Sequence, residues 1–191
     1  MKIGVLALQG DVREHVRALE AAGATGMPVK RPDQLAGVDG LILPGGESTT
    51  IGKLLDRFDL LDPVKERARS GMPLWGTCAG LILMARTVTG REDAPHRLGV
   101  LDVCVRRNAY GRQTESFETD LDVAGLDEPF RAVFIRAPVI EDAGESVEVL
   151  ARFNDKPVLV RSGSMLASSF HPEMTGDCRV HEMFVSMAEK V

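Results

Sequence analysis

Ile3-Gly4-Val5-Leu6-Ala7-Leu8, followed by Val12, Val16 and Leu19 at helical spacing, decides the fold of this chain. A nearly unbroken apolar run marks a strand covered on both faces, and apolar positions at i, i+4 and i+7 mark the helix that covers it. The chain therefore opens with a β-α unit. Residues 23–28 break the pattern, and a second apolar run at 38–43 ends in Pro44-Gly45-Gly46, which no regular element tolerates. Ile51, Leu54, Leu55 and Phe58 predict the next helix, and Asp62-Pro63 with Gly71 supplies the N-cap, first-turn proline and C′ glycine of another. Pro73, Leu74 and Trp75 read as a short buried strand running into Gly76-Thr77-Cys78-Ala79-Gly80, after which residues 81–85 resume a helical face.

The second half changes period. Compact or alternating apolar runs at 98–105, 115–121, 132–135, 147–150, 158–160 and 165–170 predict strands, and Val180, Met183, Phe184 and Met187 close the chain with a docked helix. The expected architecture is α/β: a single three-layer domain over residues 1–191, its central sheet mostly parallel and flanked by helices, with a β-rich second half on the same sheet. A length of 191 residues has room for one ordinary domain and not for two full enzyme domains. Ligands of open α/β sheets sit beyond the carboxyl ends of the strands, which directs attention to the turns after Leu43 and Trp75.

Composition narrows the function classes. With 44% hydrophobic and 27% charged residues the chain is neither disordered nor fibrous. A formal charge of -5 without a long basic run argues against a protein built around nucleic acid or anionic lipid. No apolar stretch reaches the roughly 18 residues of a membrane span, and the first residues are too short and strand-like for a signal peptide, so a cytoplasmic location is expected. The 3 cysteines, Cys78, Cys104 and Cys178, are odd in number and lack CxxC spacing. Reduced thiols are expected, with neither a disulfide framework nor a metal site.

Two turns carry the candidate chemistry. Glycines before and after Cys78 let the chain turn sharply with little bulk, placing the thiol at a strand-to-helix turn like a nucleophile elbow. N–H groups at a helix start favour the thiolate, which is the nucleophile. A buried structural cysteine is the other reading, and a base is needed to choose between them. Ser169-Phe170-His171-Pro172-Glu173 supplies one: His171 would take the thiol proton and Glu173 would hold the ring tautomer. His15, His96 and His181 lack a carboxylate and a strand end together, and are read as hydrogen-bonded or solvated residues. Residues 44–50 offer N–H groups to an oxyanion together with the Ala79 amide, or form a turn in which Ser48 or Thr49 caps the helix through Phe58. Arg106, Arg107 and Arg112 are either a solvated face or a clamp for a carboxylate. Cys104 and Cys178 are read as structural, with some reactivity open to Cys178, and Met183 and Met187 as core residues.

Gly76-Thr77-Cys78-Ala79-Gly80 together with Phe170-His171-Pro172-Glu173 resembles the Cys-His-Glu signature of class I glutamine amidotransferases. Leu8-Gln9-Gly10, Pro44-Gly45-Gly46-Glu47-Ser48-Thr49-Thr50, Arg107-Asn108-Ala109-Tyr110-Gly111-Arg112-Gln113 and Phe134-Ile135-Arg136-Ala137-Pro138 resemble one family within that class, the glutaminase subunits of pyridoxal 5′-phosphate synthase. The similarity runs over essentially the whole chain. It implies an enzyme that hydrolyses L-glutamine to L-glutamate and ammonia and hands the ammonia to a separate synthase subunit, in a hetero-oligomeric complex that makes vitamin B6. Pyridoxal 5′-phosphate is then the partner's product, and no cofactor is implied for this chain.

Carried over by motif, the resemblance implies Cys78 as nucleophile, His171 as acid/base and Glu173 as its orienter. Gly46 and Ala79 match the oxyanion donors. Gly46, Glu47, Ser48, Arg107, Ile135 and Arg136 match positions that hold L-glutamine, and Gln9 and the first helix match the contact with the synthase subunit. It further implies a subunit nearly silent alone, because docking rearranges the peptide around Gly46. Asp11 is more polar than the residue expected after Gln-Gly, the 90–97 loop is slightly long, and Met174 and Gly176 vary the segment after the triad. A stand-alone γ-glutamyl hydrolase and a non-catalytic module that senses oxidants through Cys78 are the rival readings. The first needs no partner, and the second has no use for an ordered base.

Overall fold

Strand β1 (Lys2–Leu6) takes up the first apolar run and pairs in parallel with β2 (Thr25–Val29) on one side and β3 (Gly40–Leu43) on the other. Next to β3 lie β4 (Leu74–Thr77) and β12 (Met165–Ser168), also parallel. Antiparallel β11 (Lys156–Ser162) and β10 (Glu148–Phe153) complete a 7-stranded sheet of order β10-β11-β12-β4-β3-β1-β2. The architecture comes from a computed structural model that describes residues 1–90, 96–107 and 116–191.

Alternation along the strands splits the core in two. Leu6, Leu41, Leu43, Leu74 and Ala167 face one layer, where α2 (Pro32–Ala36), α3 (Ser48–Arg57), α4 (Leu61–Arg69) and α5 (Ala79–Met84) pack. Ile3, Val5, Ile42, Trp75 and Leu166 face the other, beneath α1 (Val12–Ala21) and α6 (Arg179–Ala188). Helices on both faces of a largely parallel sheet explain why the central strands carry continuous apolar runs.

The second half departs from expectation. Of its strands only β10, β11 and β12 join the main sheet. Among the described residues a separate 3-stranded sheet holds β5 (Ala85–Thr89), β6 (Leu101–Arg106) and β9 (Val139–Ala143), and β7 (Ser116–Leu121) pairs with β8 (Phe130–Ile135). Strands β6 and β8 alternate buried with partly or fully exposed residues, which suits a one-sided sheet and not a position inside a doubly covered one. Strand β2 contradicts the reading of residues 23–28 as a break. It is the sheet edge, where Pro28 is tolerated because no neighbouring strand needs its N–H.

Helix ends also differ in detail. Glu47, and neither Ser48 nor Thr49, caps α3: its carboxylate accepts the Thr49 and Thr50 N–H groups at 3.1 and 2.7 Å. Phe58 stands just past the last turn and is 46% exposed, so it is not part of the buried stripe. Helix α4 starts after Leu60, with Asp62 in its first turn instead of at the cap, and Gly71 follows its end at φ 100°, as a C′ glycine does. Residues 91–95 of the long loop lie outside the described residues. So do Arg112 and the rest of the segment that follows Arg107. Among the described residues no helix is long and apolar enough to cross a membrane.

Burial disfavours the Glu47 carboxylate, but the N–H and hydroxyl donors of Thr50 and Thr49 outweigh it and hold the group down at about 2. A depressed pKa makes the cap's contribution complete above the ordinary carboxylate range and lost as pH falls through the folded value. Glu47→Ala is therefore expected to lower stability by about 1 kcal/mol at neutral pH. In urea titrations the gap to the unsubstituted protein narrows as pH falls toward about 2.

Candidate active site

Between β4 and α5 the chain reverses within one residue. Cys78 takes φ 49° and ψ -97°, a conformation that costs a non-glycine residue on the order of 1–3 kcal/mol. The surroundings over-determine it. The Cys78 N–H donates to the Ser168 carbonyl at 2.8 Å, tying the turn to the end of β12. Gly80 packs so closely on the Leu43 carbonyl that no side chain fits there. The thiol is 8% exposed, and its sulfur lies 3.9 Å from the Ile135 carbonyl.

The base arrives from the next strand. Beyond β12, the His171 N–H donates to the Val133 carbonyl at 2.8 Å, and a single 3-10 turn, Pro172–Met174, folds Glu173 back under the imidazole. His171 Nδ1 and Glu173 Oε1 are 2.7 Å apart, both buried. Asp11 Oδ2 lies 3.5 Å from the same nitrogen, and the ring sits against Gly45, where a side chain would collide with it. Burial disfavours the imidazolium, but hydrogen bonds with Asp11, Cys78 and Glu173, and the Glu173 charge, outweigh it and push His171 up to about 12. Burial raises Glu173, against the pull of His171. The ion pair stabilises the fold below the ordinary imidazole range, and that contribution is lost as pH rises toward about 12.

This arrangement suits nucleophilic catalysis: a buried thiol on a strained elbow beside an imidazole whose Nδ1 is fixed by a buried carboxylate. Asp11, His171 and Glu173 each offer a ligand atom within 4.8 Å of the others, a grouping that fits a cation. The 2.7 Å contact leaves no space for one between Nδ1 and Oε1, since two ligands of a tetrahedral zinc stand about 3.3 Å apart.

The Gly45 carbonyl accepts the Asp11 N–H at 3.3 Å, so the planar peptide sends the Gly46 N–H the opposite way. The Glu47 N–H donates to Gln9 Oε1 at 2.8 Å, which engages Gln9 within the chain. Ser48 and Ala79 are buried. Arg107 is not a solvated residue: its side chain is 10% exposed, bridging Glu47 Oε1 at 3.1 Å and Thr49 Oγ1 at 3.2 Å. Arg106 pairs with Glu141. Arg136 is exposed at φ 44°, next to half-buried Ile135. The Glu182 carboxylate, with burial, pushes the Cys178 thiol up, and burial with Glu141 and Asp142 does the same for Cys104, so neither favours a thiolate.

Two histidines carry more than the sequence reading allowed. His15 and His181 are fully buried and hydrogen-bonded, one of the two outcomes expected, and in addition His15 Nε2 stands 3.5 Å from Glu173 Oε2 across the core. A signal was present: His15 follows Val12 by three and precedes Leu19 by four, which puts it on the inward stripe of α1.

A model of the SNO glutamine amidotransferase family matches residues 5–190. The chain belongs to this family. It is similar to proteins named pyridoxal 5′-phosphate synthase subunit PdxT: 61% identical to that of Parafrankia sp. over 97% of this chain and 92% of the relative. The PdxT of Nocardia farcinica is 62% identical over 97% of this chain and 84% of its own length, and that of Bacillus velezensis 55% over 100% and 96%. A crystal structure described as glutamine amidotransferase superposes with TM-score 0.93 at 54% identity, over 98% of both chains. The structure of PurLQS from Thermotoga maritima, at TM-score 0.66 and 18% identity, shares the fold.

Asp11 beside the imidazole has a measurable consequence. Asp11→Asn removes one of the carboxylates facing His171, so the imidazolium is expected to lose its proton at a lower pH. Nitrogen-15 titration of the His171 ring checks this, and an unchanged midpoint would contradict the assigned contact.

Proposed function

We propose that this family member is a glutaminase that hydrolyses L-glutamine and passes the ammonia to the synthase subunit of pyridoxal 5′-phosphate synthase, with Cys78, His171 and Glu173 as its triad. The observation that carries the reading is the buried 2.7 Å imidazole–carboxylate pair beside a buried thiol on a strained elbow. Identities of 55–62% to proteins named PdxT support the substrate and the partner. Residues 1–191 act as one glutaminase domain. A cytoplasmic setting fits the free state of Cys78, Cys104 and Cys178.

Glu173 holds the His171 Nδ1–H, and the proton withdrawn from Cys78 rests on Nε2, which makes His171 the imidazolium that its surroundings favour. The thiolate attacks the side-chain carboxamide carbon of L-glutamine. The carbonyl electrons move to oxygen, and the Gly46 and Ala79 amides take up the resulting charge. Collapse of this intermediate breaks the C–N bond as His171 returns its proton to the leaving nitrogen, giving ammonia and a γ-glutamyl thioester on Cys78. Water, deprotonated by His171, then attacks the thioester, and L-glutamate leaves as the thiol is restored. Gly46, Glu47, Ser48, Arg107, Ile135 and Arg136 form the glutamine-binding rim, and Gln9 with the start of α1 faces the synthase subunit.

Partner control needs only the Gly45–Gly46 peptide. Losing one oxyanion donor costs roughly 10²–10³ in rate, enough to silence a free subunit. Glutamate release from L-glutamine is expected to be low for the purified chain and to rise by about that factor once the cognate synthase subunit is added. Equal rates in both conditions would favour a stand-alone hydrolase, and no activity in either would overturn the glutaminase reading. Cys78→Ala is expected to abolish turnover while leaving the thermal transition in place.

A further inference from the structure

The polar cluster behind the triad is built into the core beneath α1 and α6. His15 and His181 are fully buried, with Trp75 packed edge-on against both rings at centroid distances of 5.7 and 4.8 Å. His15 Nδ1 meets His181 Nε2 at 3.0 Å. His15 Nε2 meets Thr77 Oγ1 at 3.2 Å and faces Glu173 Oε2 at 3.5 Å. Among the described residues Glu173 Oε2, a buried atom, has no hydrogen-bond partner of its own, since His171 engages Oε1. Thr77 immediately precedes the nucleophile, so the His15 ring touches both the carboxylate arm and the strand that carries Cys78.

We propose that His15 is a positioning residue of the glutaminase, donating its Nε2–H toward the second oxygen of Glu173 in a relay that runs from His181 to His171. The inference rests on the glutaminase reading above.

Burial holds both rings in the neutral form, His15 well below its usual range and His181 at about 3, so each carries a single ring proton. The groups facing His15 are His181, Glu173, Thr77 and, further off, His171. If His15 carried its proton on Nδ1, the Nε2 lone pair would face a carboxylate oxygen in a dry site, and His181 would bury an Nδ1–H without an acceptor. With the proton on Nε2, both problems disappear. His181 donates from Nε2 to His15 Nδ1, and the unpartnered atom is a bare His181 Nδ1. A separation of 3.5 Å is at the edge of hydrogen-bond range, and such contacts in unliganded sites tighten when substrate binds. Glu173 held at both oxygens keeps its charge and its angle to His171, and His171 keeps its proton for the departing ammonia.

The test uses the complete complex with the synthase subunit. His15→Leu, which keeps volume and removes the donor, is expected to lower kcat about 10-fold with KM little changed, the factor associated with one hydrogen bond to a charged group. The alkaline limb of its pH profile moves to lower pH, because His171 loses support for its proton. His15→Gln, whose side-chain nitrogen occupies the place of Nε2, restores most of kcat and the profile. A folded His15→Leu complex with unchanged kcat and pH profile overturns the proposal, as does a loss that Gln fails to rescue. If the Leu variant does not fold, nitrogen-15 spectra of the unsubstituted complex decide, in a chain with only 4 histidines. His15 protonated at Nε2 is expected, and protonation at Nδ1 refutes the relay. Absence of glutaminase activity in the unsubstituted complex would count against the functional reading, independently of the tautomer.

Discussion

Everything at the site hangs on one strained residue. Cys78 is held in a left-handed conformation because strand β4 ends, and helix α5 begins, without a loop between them. Only a rigid frame can hold such a turn. The frame consists of the parallel neighbours β3 and β12, one placing the Leu43 carbonyl against Gly80 and the other accepting the Cys78 N–H. The same two strands deliver the rest of the site, because the glycine-rich turn leaves β3 and His171 follows β12. Side chains far apart in sequence converge because three adjacent parallel strands end at the same level.

Electrostatics then refine what topology brings together. Around His171 the cost of burial is outweighed by three hydrogen-bonding neighbours, while around His15 and His181 it prevails. Imidazoles in one polar cluster thus have opposite charge preferences, and the boundary between them is Glu173. Arg107 satisfies Glu47, whose other duty is to cap α3. A residue that both caps a helix and pairs with Arg107 links the order of that arginine to the order of the helix.

Much of this was legible in the amino-acid sequence. The strands at the sheet centre announce themselves because burial on both faces demands unbroken apolar runs, and the glycines around Cys78 mark the elbow because only small residues pack there. What was missed lies where a local pattern is weak or overridden. Strands β5 and β9 are short and partly exposed, so no period stands out. Glu47 does the capping work of the serine and threonine beside it through two N–H contacts that only the folded turn reveals. His15 and His181 are polar letters in apolar stripes, and a reading that sorts histidines by neighbouring sequence cannot see a carboxylate 158 positions away meeting the ring across the core.

Pro28 has a bearing on solubility. Strand β2 is an open edge of the main sheet, and such an edge offers unpaired backbone groups to any other extended chain. The Thr25 N–H and the Val29 carbonyl are used inward, toward the β1 side, so the alternation turns Gly26 and Pro28 outward. At Pro28 there is no donor to offer. A strand from a second molecule would find a donor missing from its ladder at Pro28, which turns a residue that interrupts the helical and strand patterns of the sequence into a guard against edge-to-edge pairing.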